Sequence, residues 1–196
     1  MNEIANLQRF GVKLFAQKFA VGQQEIIPIF HRWIQQQWLP GHLLIDVAEY
    51  THVHHGPGIV LVGHEANIST DENEGKPGLQ YLRKQPQPGD LGERITSVLR
   101  TTLTLAERLE REPELAGRLQ FDRHKFVFIA NDRLLAPNTA ETFEALRETV
   151  SAATMAIAGG DRELTLSRHP QEKGLLRILV EGKNLLPSSL AQPANA

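Results

Sequence analysis

Four of the chain's eight histidines fall within thirteen residues, in Tyr50-Thr-His-Val-His-His-Gly-Pro-Gly58 and in the His64-Glu65 pair beyond it. Imidazole and carboxylate together suit zinc, iron or manganese. On a strand, side chains two apart share a face. Asp46, Tyr50, His52 and His54 then form one row, and Glu49, Thr51 and Val53 the other. His52 and His54 are a same-face pair, while His55 belongs to the turn. With that turn centred on Gly56-Pro57-Gly58, the returning strand is expected to bring His64 near Tyr50 and Glu49. Asp46, His52, His54 and His64 thereby become candidate ligands for a divalent cation. The set depends on register, because a slip of one residue exchanges the two faces. The plainer expectation is the polar, solvent-facing side of an amphipathic hairpin, since this spacing is far less specific than HExxH. His64 and Glu65 are also candidates for acid-base catalysis at a strand end. Neighbouring strand residues point to opposite faces, which argues against their acting together.

A second constellation, Asn131-Asp132-Arg133 followed by Pro137-Asn138-Thr139, lies where an apolar strand gives way to a helix. Free N–H groups and the helix dipole favour an anion there, so Arg133, Asn138 and Thr139 are candidates for binding a small anionic ligand. Turn and cap chemistry accounts for the same residues: Asn131 and Asp132 shape a turn, and Asn138 with Glu141 has capping-box spacing. Trp33 belongs to an apolar stripe and is expected in the core. Trp38, beside Pro40, is the aromatic more suited to covering a sheet edge or anchoring a partner. The chain carries no nucleophile elbow, P-loop, dinucleotide glycine pattern or EF-hand loop.

The elements that must position these residues follow from periodicity. Alternation of Phe10, Val12 and Leu14 with Arg9, Gly11 and Lys13 predicts a strand over 7–17. Ile26, Ile29, Phe30, Trp33 and Ile34 fall at helical spacing up to Pro40-Gly41. Strands are predicted over 42–54 and 59–69 as a hairpin, then over 79–84 after a polar loop from Asp71 to Gly78. Asp90 and Glu93 have capping-box spacing at the head of a long helix, 90–112, whose stripe is Ile95, Val98, Leu99, Leu103, Ala106 and Leu109. Residues 119–121 and 125–130 are expected to form a second hairpin across Asp122-Arg-His124. A third helix starts near Asn138, buries Phe143, Leu146, Val150, Ala153 and Ile157, and stops at Gly159-Gly160. A final hairpin joins 163–166 to 175–180.

The resulting expectation is an α+β domain over 1–182, with about nine strands in a largely antiparallel or mixed sheet and three amphipathic helices. The order of elements is compatible with two βαββ halves, 7–84 and 118–181, joined by helix 90–112. Residues 183–196 are expected to be a disordered tail. The chain of 196 residues is 41% hydrophobic, which suits an ordinary globular domain. Its net charge of −2 gives no electrostatic footprint for nucleic acid or anionic membrane. Absence of cysteine excludes disulfides and thiolate chemistry and fits a reducing compartment. The N-terminus does not read as a signal peptide and no run is long enough to span a bilayer, so a soluble cytoplasmic protein is expected. Two functions are compatible with this sequence: a non-enzymatic binding or assembly domain that self-associates through a sheet edge, and a metal-dependent or acid-base enzyme using the histidine hairpin.

Overall fold

A computed structural model describes residues 3–54, 56–72, 76–160, 162–169 and 174–187. The fold is α+β: three helices on one antiparallel sheet of eight strands, in the order β2-β3-β4-β5-β1-β6-β8-β7. The strands are β1 (Phe10–Phe19), β2 (Leu44–Tyr50), β3 (Gly58–Gly63), β4 (Ala66–Ser69), β5 (Gly78–Arg83), β6 (Leu119–Ala130), β7 (Thr165–Arg168) and β8 (Leu176–Glu181). The helices are α1 (Ile26–Gln36), α2 (Leu91–Glu110) and α3 (Ala140–Ala158).

The path of the chain repeats itself. β1 leads into α1, and a meander from β2 to β5 then returns beside β1. β6 leads into α3, and β7 with β8 then returns beside β6. β1 and β6 pair with each other at the centre, so the two stretches share one continuous sheet. Period-two alternation decides which residues meet the helices. Phe10, Val12 and Leu14 of β1 align with Ala130, Phe128 and Phe126 of β6, and all six are buried in one core with the apolar stripes of the three helices. The intervening residues face the other way, where Phe15, Val127 and Ile129 form a smaller apolar cluster.

The capping box at Asp90 and Glu93 forms as expected, with each side chain accepting from the other's backbone N–H. α1 stops at Gln37, whose φ of 42° ends the helical path. The far end of α1 is tied to the end of α2 by the buried Glu112 carboxylate. It accepts from Trp33 Nε1 at 2.8 Å, Arg32 at 2.6 Å and Arg108 at 2.9 Å. This anchors the segment that leads into β2.

Several expectations are corrected. Residues 119–130 form one strand, with its irregularity at the register shifts opposite Leu14, Ala16 and Lys18, where two strands and a tip were expected. The apolar run 59–69 instead divides into β3 and β4, which pair with each other across His64-Glu65. The helix cap falls on Thr139, whose hydroxyl accepts from the Thr142 N–H at 3.2 Å, and not on Asn138. The tail does not begin at residue 183: Leu185 and Leu186 are buried, and the Leu186 N–H donates to Arg123 O at 2.9 Å. Residues 188–196, His55 and the middle of the 71–78 loop lie outside the described residues.

Candidate functional site: an apolar strip on an edge strand

The register of the β2–β3 pair decides what the histidines can do. β2 ends at Tyr50, which is paired with Gly58, and Leu44 is paired with Gly63. His52 and His54 therefore lie in the loop before β3, while His64 follows its last residue. The His64 N–H donates to Leu43 O at 2.8 Å, at the opposite end of the pair from Tyr50. Six strand residues at about 3.3 Å each separate the two histidine positions by roughly 20 Å. The expected placement of His64 beside Tyr50 and Glu49 is thus corrected. The reason is the connection, which spans 51–57 where a tight Gly-Pro-Gly turn was expected. Asp46 is exposed on β2, and its Oδ1 accepts from the neighbouring Val47 N–H. Among the described residues, no group of three or more His, Asp and Glu side chains could hold a metal ion.

The anion candidates are also placed. Arg133 is exposed, in a turn closed by Asp132 Oδ1, which accepts from the N–H groups of Leu134 and Leu135. Asn138 accepts from Arg168 through both its backbone and side-chain oxygens, at 3.3 and 3.2 Å. The first turn of α3 already has a carboxylate of its own. Its own backbone N–H, and then Thr139, hold Glu141 below the ordinary glutamate value. Asp132 and Thr139 serve turn and cap geometry there, and Asn138 ties the helix start to β7.

What the structure exposes along one segment is apolar. Four of the five large apolar side chains strongly exposed among the described residues lie in 43–53: Leu43 (56%), Ile45 (53%), Tyr50 (42%) and Val53 (43%). β2 is an outer strand of the sheet, so one side of it has no strand neighbour. Its backbone is nonetheless guarded. Gln37 donates to Leu44 O at 3.0 Å and accepts from the Leu44 N–H at 3.2 Å, occupying both groups with one amide. Asp46 covers the Val47 N–H, and a register shift between Leu44 and Asp46 bends the strand. Charged side chains, bulges and local caps of this kind prevent strand addition at an edge. The apolar side chains remain available, while both backbone groups of Leu44 and the Val47 N–H do not.

Beneath the strip lies a polar network of which the sequence pointed only to Glu65. Glu65 Oε2 accepts from the Leu43 N–H at 2.7 Å. Burial pushes this carboxyl up. Hydrogen bonds from Leu43 and from its own N–H, with His64 and His42 nearby, outweigh that and hold it below the ordinary glutamate value. His42 Nε2 is 2.7 Å from the buried Tyr81 hydroxyl, which also receives a hydrogen bond from Arg83. The two rings meet edge to face at 5.7 Å. Burial pushes the Tyr81 phenol up and His42 down. The sequence signal for this site was the run His42-Leu-Leu-Ile45 directly after Pro40-Gly41. Three consecutive apolar residues cannot all face a core from one side of a strand.

No family model, characterised protein or solved structure matches this chain. No helix among the described residues is long and apolar enough to cross a membrane.

Proposed function

We propose that this chain is a non-catalytic binding and assembly domain that pairs with a second copy of itself through the β2 edge. The observation that carries the reading is the gathering of Leu43, Ile45, Tyr50 and Val53 on one short segment of an outer strand. Exposed apolar side chains scattered singly are ordinary, but two pairs of them, one at each end of a single outer strand, mark an interaction surface. A second copy suits the charge order of the strip. Asp46 lies in its first half and the imidazoles of His52 and His54 at its far end, with Glu49 between them. An isologous contact with the two β2 strands running in opposite directions sets Asp46 of one copy towards His52 of its partner. Because Gln37 and Asp46 already occupy outward backbone groups, the two copies pack side chain on side chain and the sheet is not continued across the interface.

A strip of this size is small beside specific interfaces, which bury about 1,200–2,000 Å² in total. Association is therefore expected to be reversible and dependent on concentration. Light scattering at rising concentration should show a monomer giving way to a dimer. Ile45→Arg and Tyr50→Arg should each shift the chain to monomer without lowering its melting temperature, since both side chains are exposed in the single chain. A wild-type chain that stays monomeric at about 0.1 mM, where even a binding free energy of about −6 kcal/mol (a dissociation constant of about 40 μM) would show, overturns the reading. A soluble, cytoplasmic setting belongs to the same proposal and rests on composition.

A further inference from the structure

We propose that His42 is a proton-operated latch on the β2 edge: a second proton on its imidazole breaks the hydrogen-bond chain beneath Leu43 and loosens the strip that Leu43 and Ile45 begin. Its consequence, release of the partner copy, rests on the assembly reading. Its mechanism rests on the hydrogen bonds.

The direction of every bond in the chain is set by its last acceptor. His42 Nδ1 lies 3.1 Å from Pro40 O. A carbonyl can only accept, so Nδ1 carries the proton. In the neutral ring Nε2 must then accept, and the Tyr81 hydroxyl at 2.7 Å is its donor. The phenol oxygen accepts in turn from Arg83 at 3.3 Å, whose Nε donates to Gln85 O at 3.1 Å. The order is Arg83 to Tyr81 to His42 to Pro40, with each donor matched to one acceptor.

A proton on Nε2 turns an acceptor into a donor and sets it against the Tyr81 O–H. The phenol can rotate to accept from His42, but its own hydrogen then needs a new acceptor in a site where Tyr81 is 1% exposed. A buried donor without an acceptor is costly. The new charge would face the Arg83 guanidinium on β5, which repels it. It would also face Glu65 at the β3–β4 turn, with His64 beside that carboxylate. Glu65 attracts the cation, and this is the second way the latch opens, because the same carboxylate holds the Leu43 N–H. A cationic His42 competes with the strand for it.

The balance favours the neutral ring. Burial, joined by Arg83, outweighs the Pro40 hydrogen bond and Glu65 and lowers His42 from 6.5. A histidine depressed in the folded state contributes its stabilisation fully above 6.5 and loses it as pH falls below that value, where the loosened state takes up the proton. The latch is closed at neutral pH and opens in mild acid.

The test is to measure the dimer dissociation constant of the wild type and of His42→Gln at about pH 7.5 and about pH 5.5, on either side of the ordinary histidine range. The glutamine amide can donate to Pro40 O and accept from Tyr81 but cannot take up a proton. On going to the lower pH, the wild-type dissociation constant should rise severalfold relative to that of His42→Gln, in which the contacts of His52 and His54 alone respond to acid. His52 and His54 are present in both proteins, so the difference belongs to His42. Amide hydrogen exchange over Leu44–Tyr50, corrected for intrinsic rates, should quicken in acid for the wild type alone. Tyr81→Phe, which removes the donor to Nε2, should make that exchange fast at both pH values. A pH response of the dimer that is the same in the wild type and in His42→Gln overturns the latch. A wild type that is monomeric at both pH values defeats the assembly reading instead, and β2 exchange alone then decides for or against the latch.

Discussion

Charge is buried in this protein on the sheet face turned away from the helices. Lys13 projects from β1, in register with Gln80 and Val127, and its ammonium pairs with Asp71; the two side chains are 5% and 1% exposed. Taking two ions out of water is expensive, and their attraction offsets that cost while both are present. Removing one partner leaves the other charged and buried. Asp71→Ala is therefore expected to destabilise the fold by about 3–5 kcal/mol. The double change Lys13→Met with Asp71→Leu should recover most of that loss, because the pair is then replaced by apolar volume beside Phe15 and Val127. Urea denaturation of the three proteins checks this; a double variant as unstable as Asp71→Ala would show that the pair has no such coupling. Neither residue stood out in the sequence, where Lys13 was one polar position of an alternating strand and Asp71 the start of a polar loop. The histidines stood out and proved dispersed. A ligand set on a hairpin depends on register, and register depends on a turn whose length the residues Gly56-Pro57-Gly58 did not reveal.

The helices were more legible than the strands, because a helix announces its ends in nearby residues. Asp90 and Glu93 specified the head of α2, and the apolar stripe placed its buried side correctly. The start of α3 was displaced by one position: Asn138 and Thr139 are both good caps, and the choice was made by Arg168, a residue of β7 that engages Asn138. Nothing near residue 138 foretells that partner. The expected consequence is a graded response at this helix end. Thr139→Ala removes the oxygen that accepts from the Thr142 N–H and should cost about 1 kcal/mol. Asn138→Ala keeps the backbone carbonyl that Arg168 also uses and should cost less. Melting temperatures in that order support the assignment of Thr139 as the cap, and the reverse order would return the role to Asn138. The edge strand was hidden for a related reason. Alternation reports which residues face a core, but whether a strand has one neighbour or two is a property of the whole sheet.

At the scale of the molecule, the repeated path of the chain raises the matter of how many units fold. The stretch from β1 to β5 and the stretch from β6 to β8 each run strand, helix and returning meander, which invites two independent halves. The packing argues for one. β1 and β6 are the longest strands and pair along most of their length, and the rings of Phe10 and Phe128 meet across that seam, tilted by 33° with centroids 5.5 Å apart. α2 lies over the seam, touching β1, β5 and β6 as well as α3. Phe128 also sits opposite Ile178, so its ring belongs to the cores of both stretches. Phe128→Ala is expected to cost about 3–5 kcal/mol. It should lower one cooperative transition by calorimetry, moving both stretches together without dividing the transition in two. Hydrogen exchange should rank the sheet in the same sense. Amides of β1 and β6 should open only with global unfolding, and those of the four-residue outer strand β7 first. If Phe128→Ala instead melts the 118–181 stretch while the amides of β2 to β5 stay protected, the halves are separate cooperative units, and the shared seam is only a contact between them.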